Sequence, residues 1–257
     1  MRETKGHHLS IPLQRRAVFL AGAAALVGAF QLGPAAYRRH VTGLSFTPVK
    51  GVEGFRKLDG GSISGVIDPF VGLEARDPQE VAALDAEITR VRGDLRGALF
   101  EGAAQSDVQI ASFSDFYCPY CRLLTERLFA LGPKLGVPIT WHEYPLFGPH
   151  STIAAKGAIA ARNQGAYDRF HLRMMRTPAR ATAAFVIALA ESLDLDTDQF
   201  AADLDSDATR AALLKSEALA QVFRLPGTPA LVVGRTVVIG AIDDGRLTDL
   251  VALERDA

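Results

Sequence analysis

The sequence predicts an α/β protein in which two strands precede an antiparallel pair and helices fill the intervals between them. Three observations carry this. Short β-branched and aromatic runs stand at "SDVQIASF" and "VPITWHEYPL". A long stretch rich in alanine, leucine and charge, Ser151 to Phe223, has helical spacing. "PGTPALVVGRTVVIG" then places two short strands around a turn near Gly234-Arg235, and "DDGRLTDLVALER" closes with a helix. Of the 257 residues, 48% are hydrophobic and 22% charged, which fits a folded domain. A net charge of −1 gives no electrostatic basis for nucleic-acid binding. No internal repeat is visible.

In chain order, residues 1–40 come first. Arg2, Lys5, Arg15 and Arg16 precede an uncharged run from Ala17 to Ala36, the pattern of an export signal. The purely apolar core, Ala17 to Phe30, is short for a membrane span, but counted through Ala36 the run reaches the length of about 20 residues that crosses a bilayer. A cleaved signal peptide and a retained anchor at about 17–36 are both expected readings. The proline in Gly33-Pro34-Ala35 makes a poor cleavage site and favours the anchor. Arg15-Arg16 partly matches a twin-arginine signal, with Val18 where that signal prefers Phe; an ordinary basic start is the favoured reading. Either route puts the bulk of the chain in the periplasm, an oxidising compartment.

Residues 41–104 read as a linker and a helical extension. Val41 to Arg76 is glycine-rich without a period and is expected to pack loosely. In Asp77 to Leu99, apolar residues recur at helical spacing (Val81, Leu84, Ile88, Val91, Leu95, Leu99), with Asp77 as N-cap and Pro78 in the first turn. Gly93 and Gly97 weaken its second half. Its apolar face must cover either the main domain or a second copy of the chain, so a homodimer through this helix is one expectation.

Residues 105–257 form the main domain. A strand in Ser106 to Phe113 leads to a helix in "CRLLTERLFALGPK", with Leu124, Leu128 and Leu131 on one face and Gly132-Pro133 as its stop. A strand in Val137 to Leu146 follows. The insertion, about 151–223, reads as helices near 151–163, 166–176, 182–193, 197–205 and 207–222.

Both cysteines of the chain lie in "DFYCPYC", Asp115 to Cys121. They admit three uses. A structural disulfide across two residues closes a tiny loop and removes little unfolded-state entropy. Structural zinc needs four ligands, and His142, His150 and His171 lack the spacing to join the pair. Cu(I) suits a dithiolate better; His171, Met174 and Met175 offer further soft donors, although helix packing is the favoured role of the methionines. The third use is disulfide exchange. Cys118 falls at a helix N-terminus, where unpaired N–H groups and the helix dipole favour a thiolate. Pro119 fits the first turn, and Cys121 sits one turn inward. The expected pair is therefore an exposed, low-pKa nucleophile and a more buried resolving thiol.

A second motif, "GTPA" from Gly227 to Ala230, stands just before the strand pair. Pro229 at a strand start can be cis. A cis Thr228–Pro229 bond would turn the Thr228 backbone towards a neighbouring loop. If that loop holds the cysteines, Thr228 N–H and C=O can pair with a substrate strand lying across Cys118. An ordinary trans-proline turn is the plain alternative.

Taken together, "FSDFYCPYC", "EYPLFGPHSTIAAKGAIAA" and "GTPALVVG" resemble the thioredoxin fold with a helical insertion, and within it the DsbA-like thiol-disulfide oxidoreductases of the bacterial cell envelope. The resemblance spans roughly Ser106 to Leu253. It implies that Cys118 attacks, Cys121 resolves and Thr228-Pro229 is the cis-proline loop, with Pro119 and Tyr120 completing the site. It implies no cofactor or metal. Its partners would be cysteine-containing exported proteins and a membrane or periplasmic redox partner. Two residues depart from the family. Tyr120 replaces a frequent histidine that would support the thiolate. Ser112 replaces a buried acid six residues before the first cysteine, so slower resolution at Cys121 is expected. Asp115 is close in sequence but could face solvent. The oxidase direction is favoured. The alternatives are a reductase or isomerase, since CPYC also occurs among glutaredoxins, DsbG-like proteins and copper-sensitivity suppressors, or a copper-binding envelope protein using the same dithiol.

Overall fold

The computed structural model describes residues 44–65, 77–100 and 108–256. The export or anchor segment at 17–36 lies outside them. Among the described residues, no helix is long and apolar enough to cross a membrane.

The centre is a six-stranded mixed sheet. Its strands are β1 (Thr47–Pro48), β2 (Arg56–Asp59), β3 (Ile110–Ser114), β4 (Ile139–Glu143), β5 (Ala230–Val233) and β6 (Thr236–Ile239). Their spatial order is β1-β2-β6-β5-β3-β4. β3 runs parallel to β4 and antiparallel to β5, which turns back into β6. Every residue of β3 is buried, the mark of a central strand covered on both faces. Side chains alternate across it. Ile110 faces a core with Leu231, Val233 and Val238, while Ala111 and Phe113 face another with Ala230, Val232 and Val237. The first core is completed by α3 (Pro119–Leu135) and α9 (Asp244–Arg255). The second is completed by α1 (Pro78–Gly93), α2 (Leu95–Leu99) and α8 (Asp207–Val222). The insertion supplies α4 (Pro149–Asn163), α5 (Tyr167–Met175), α6 (Ala183–Glu191) and α7 (Thr197–Leu204), each close to its expected span.

Three expectations change. The stretch 41–76 is not a loose linker throughout: β2 pairs in parallel register with β6, from Arg56 opposite Thr236 to Asp59 opposite Ile239, and so extends the main sheet. Leu58 is buried in the first core, and polar side chains fix the strand beside it. Arg56 donates to Glu254 Oε1 at 2.5 Å and to Thr236 Oγ1 at 2.8 Å, while Thr236 Oγ1 donates to the same carboxylate at 2.6 Å. The single helix expected over 77–99 breaks at Asp94, whose carboxylate accepts from Gly97 N–H at 2.8 Å and starts α2 afresh. The α1 face, with Leu84 and Val91 buried, lies on α8 of the chain's own domain. Finally, α3 runs past Gly132-Pro133 to Leu135. Gly136, at φ 61°, is the left-handed stop. Gly132 is a packing position instead, where any Cβ would press on Ile139.

The Arg56–Glu254–Thr236 cluster tethers the N-terminal extension to the domain. Glu254→Ala leaves a half-buried guanidinium and the Thr236 hydroxyl without their acceptor, so a loss of about 3 kcal/mol in urea unfolding is expected. A loss under about 0.5 kcal/mol would mean that the cluster contributes little to holding β2.

Candidate active site

The site forms where β3 hands over to α3. β3 ends at Ser114, and Cys118 is the N-cap of α3, with φ −77° and ψ 116°. Its Sγ accepts from Cys121 N–H at 3.3 Å, so the sulfur itself satisfies one of the helix's open donors. Pro119 occupies the first turn and is exposed; Tyr120 is half-buried and packs against the core. Both cysteines are free thiols. The Thr228–Pro229 bond is cis, and the Cys118 thiol donates to the Thr228 carbonyl at 3.4 Å. The structure thus gathers Cys118, Pro119, Tyr120, Cys121, Thr228 and Pro229 from two distant stretches of sequence.

The two sulfurs differ strongly. The Cys118 pKa is lowered from 9.0 to about 6. The largest cause is the hydrogen bond from the Cys121 thiol; burial opposes it; the Thr228 hydroxyl, the Cys121 N–H and the Ser64 hydroxyl add to the lowering. Burial pushes the Cys121 thiol well above its ordinary value, and the negative neighbour adds to that. The asymmetry expected from the helix start is present; its largest cause is the Cys121 thiol at Cys118 and burial at Cys121. One expectation fails: Cys118 is not exposed. Its exposure is 0% and that of Cys121 is 1%. The Thr228 carbonyl lies on the nucleophile's sulfur, and Ser64 is bridged to that same carbonyl.

Asp115 also departs from expectation, because it is buried rather than solvent-facing. One carboxylate oxygen accepts from Tyr117 N–H at 2.7 Å and Ser151 Oγ at 2.8 Å; the other accepts from Leu146 N–H at 2.5 Å and Phe147 N–H at 3.3 Å. It braces the cysteine loop against the loop after β4. Burial raises its pKa, against the pull of these hydrogen bonds. The signal was legible: Asp followed two residues later by a loop N–H is the Asx-turn pattern. Ser112, also buried, pairs on the sheet with Trp141 and Leu231.

The histidines have other partners. His142 Nε2 meets Leu99 O at 2.9 Å, His150 Nδ1 meets Ala181 O at 2.7 Å, and His171 Nδ1 meets Tyr167 Oη at 2.8 Å. Met174 and Met175 are buried core residues. Among the described residues, no three His, Cys, Asp or Glu side chains gather as a metal site.

Sequence reasoning missed Ser64. Its N–H donates to Thr228 O at 2.7 Å, and Thr228 N–H donates to Ser64 O at 2.9 Å, an isolated antiparallel bridge. The sequence held one trace of this. Gly65 and Gly227 lie at a close backbone approach, where a Cβ on Gly227 would run into the Ser64 carbonyl.

A family model described as a DSBA-like thioredoxin domain matches residues 109–252. A thioredoxin-like oxidoreductase from Silicibacter pomeroyi DSS-3 is 32% identical, with a TM-score of 0.59 over 63% of this chain and 98% of that one. The thiol-disulfide exchange protein alpha-DsbA2 from Wolbachia pipientis has a TM-score of 0.56 at 20% identity, over 69% and 98% of the two chains, a likeness of fold. The Na(+)/H(+) antiporter NhaA 1 of Salinispora arenicola is 27% identical over 135 residues, 51% of this chain. The match spans only 21% of that antiporter's length.

The depressed Cys118 pKa has a signed consequence. Stabilisation from the folded thiolate is present above the unfolded value of about 8.5 and is lost as pH falls through about 6. The reduced chain should therefore lose stability relative to the oxidised chain between those limits, as followed by guanidinium unfolding of both forms. Ultraviolet thiolate absorbance should titrate with a midpoint near 6, absent in Cys118→Ser. A midpoint at or above about 8 would remove the assignment of Cys118 as an activated thiolate.

Proposed function

Because the chain belongs to the DSBA-like thioredoxin domain family, we propose that it exchanges disulfides with the cysteines of exported proteins in the bacterial cell envelope, in the oxidising direction. The observation that carries this reading is the sulfur pair: a Cys118 sulfur seated on the α3 N-terminus, with Cys121 behind it and the Thr228 backbone opposite. The periplasmic setting draws on the basic start and the apolar run at 17–36.

In the oxidising direction, a substrate thiolate attacks Cys118 Sγ in the Cys118–Cys121 disulfide. Cys121 leaves as a thiolate and takes up a proton. A second substrate thiolate then attacks the substrate sulfur of the mixed disulfide, and Cys118 leaves as a thiolate. The substrate loses two electrons and the enzyme gains them, until a redox partner of the envelope withdraws them. Cys118 is the better leaving group because its pKa is low, which speeds the release of oxidised substrate. Tyr120 contributes a half-buried ring and no positive charge. With Leu84 and Val91 buried against α8, the extension helix supports a packing role rather than a dimer interface.

Magnitude bears on direction. A thiolate at a pKa of about 6 stabilises the reduced enzyme at neutral pH by about 1.4 kcal/mol, or about 30 mV. The superfamily spans from about −270 mV to about −120 mV. The sign favours an oxidant, and the size alone covers about a fifth of that span.

Glutathione equilibration of the Cys118–Cys121 couple should give a potential well above about −270 mV; a value at that level would overturn the oxidising direction. Mixed with a disulfide-containing peptide, Cys121→Ser should accumulate a mixed disulfide, the Cys118 thiolate attacking one peptide sulfur and releasing the other as a thiol, seen as a mass increase reversed by reductant. Cys118→Ser should form none.

A further inference from the structure

No client sulfur can approach Cys118 in line as it stands, because its sulfur is completely buried. Something over it must move. The helix, Cys121 and the Thr228 loop are parts of the packed domain. Ser64 is different. It belongs to a short irregular run that leaves β2, crosses to the Thr228 loop and is fixed there by backbone bonds of Gly60, Gly61, Ser62 and Ser64. Gly60 N–H donates to Ile239 O at 2.8 Å and Ala241 N–H to Ser62 O at 3.0 Å; the Ser64–Thr228 pair comes next. Arg246 steadies the start of the run through Asp59 O and Gly60 O.

The form of the last contact identifies what it imitates. An antiparallel bridge uses both polar groups of the Thr228 backbone, the same groups an extended client segment would need for strand addition beside Cys118. Glycine on both sides, Gly65 and Gly227, lets the backbones come that close. The residue in the bridge is serine, which has the size of cysteine but cannot form a disulfide. Its backbone N–H donates to the same Thr228 carbonyl that the Cys118 thiol meets at 3.4 Å.

We propose that residues 62–65 are an internal pseudosubstrate. They occupy the seat of the client strand, with Ser64 standing where a client cysteine reacts, and an extended cysteine-containing polypeptide binds by displacing them. Next to this seat Pro119 is exposed and Leu123, 60% exposed, adds apolar surface one turn along α3, so the clients favoured are segments with apolar residues flanking the cysteine. The inference rests on the exchange reading of the site and specifies its peptide seat.

The experiment places a thiol in the seat. Ser64→Cys with Cys121→Ser, in the otherwise complete chain, is treated with diamide. Two thiols lose two electrons and two protons to the diamide and join as one disulfide. An internal bond to Cys118 should form rapidly and independently of protein concentration, at least tenfold faster than in the control Ser62→Cys with Cys121→Ser. Equal rates for the two would overturn the inference. Separately, Ser64→Pro deletes the N–H that bonds Thr228 O. Bulky maleimide labelling of Cys118 in the reduced enzyme should then rise about tenfold over the unmodified sequence. An unchanged rate would also overturn it. Neither readout needs turnover. Disulfide exchange with no trap at Ser64 sinks the pseudosubstrate alone, whereas a trap and faster labelling without any exchange uphold the seated segment and sink the functional reading.

Discussion

Two sulfurs buried one turn apart at a helix N-terminus have room for only one negative charge. Everything at the site follows from that constraint. The charge settles on Cys118, whose sulfur accepts from the Cys121 N–H at the helix start and whose pKa is lowered most by the Cys121 thiol. Cys121, deeper and facing a negative neighbour, keeps its proton. Nucleophile and resolving thiol thus come from one electrostatic competition between chemically identical side chains. A negative charge spread over a sulfur, supported by neutral donors, does not require the positive histidine that Tyr120 replaces.

The scaffold makes that competition reproducible. β3 is buried on both faces and delivers the cysteine loop at a fixed point of the sheet. Asp115 then fixes the loop's direction, gathering N–H groups from Tyr117, Leu146 and Phe147 onto one carboxylate. A buried charge is costly on its own, and satisfying it with several backbone donors is what makes it tolerable here. Ser112 leaves the family's acid position without a carboxylate, while Asp115 accepts from backbone N–H groups and from Ser151 as a brace of the loop.

The order of strands and helices could be read from apolar spacing and turn residues, because those features report burial, and burial decides most of this fold. The cysteine pair and the cis-proline loop were legible for a related reason: each depends on residue types that few other uses would place there. β2 escaped because "RKLD" carries no apolar alternation; it is held by Arg56 reaching Glu254 near the far end of the chain, a pairing that local pattern cannot reveal. The exposure of Cys118 was misjudged for the same reason. Helix geometry says how a thiolate is stabilised, but what lies on top of it is the Thr228 carbonyl, bridged in turn to Ser64, both distant in sequence. The break at Asp94 and the stop at Gly136, by contrast, turned on single capping groups that compete with equally plausible neighbours.

The parallel pairing of β2 with β6 has a consequence for where this unit can be cut. The family match begins at residue 109, after the strand that completes the sheet. A piece of chain starting there would expose the backbone of β6 along Thr236–Ile239, an apolar strand with open hydrogen-bonding groups. Such an edge invites a second molecule to fill it. In the whole chain the segment ahead of the matched domain covers that edge, because β2 takes up the hydrogen-bonding groups of β6.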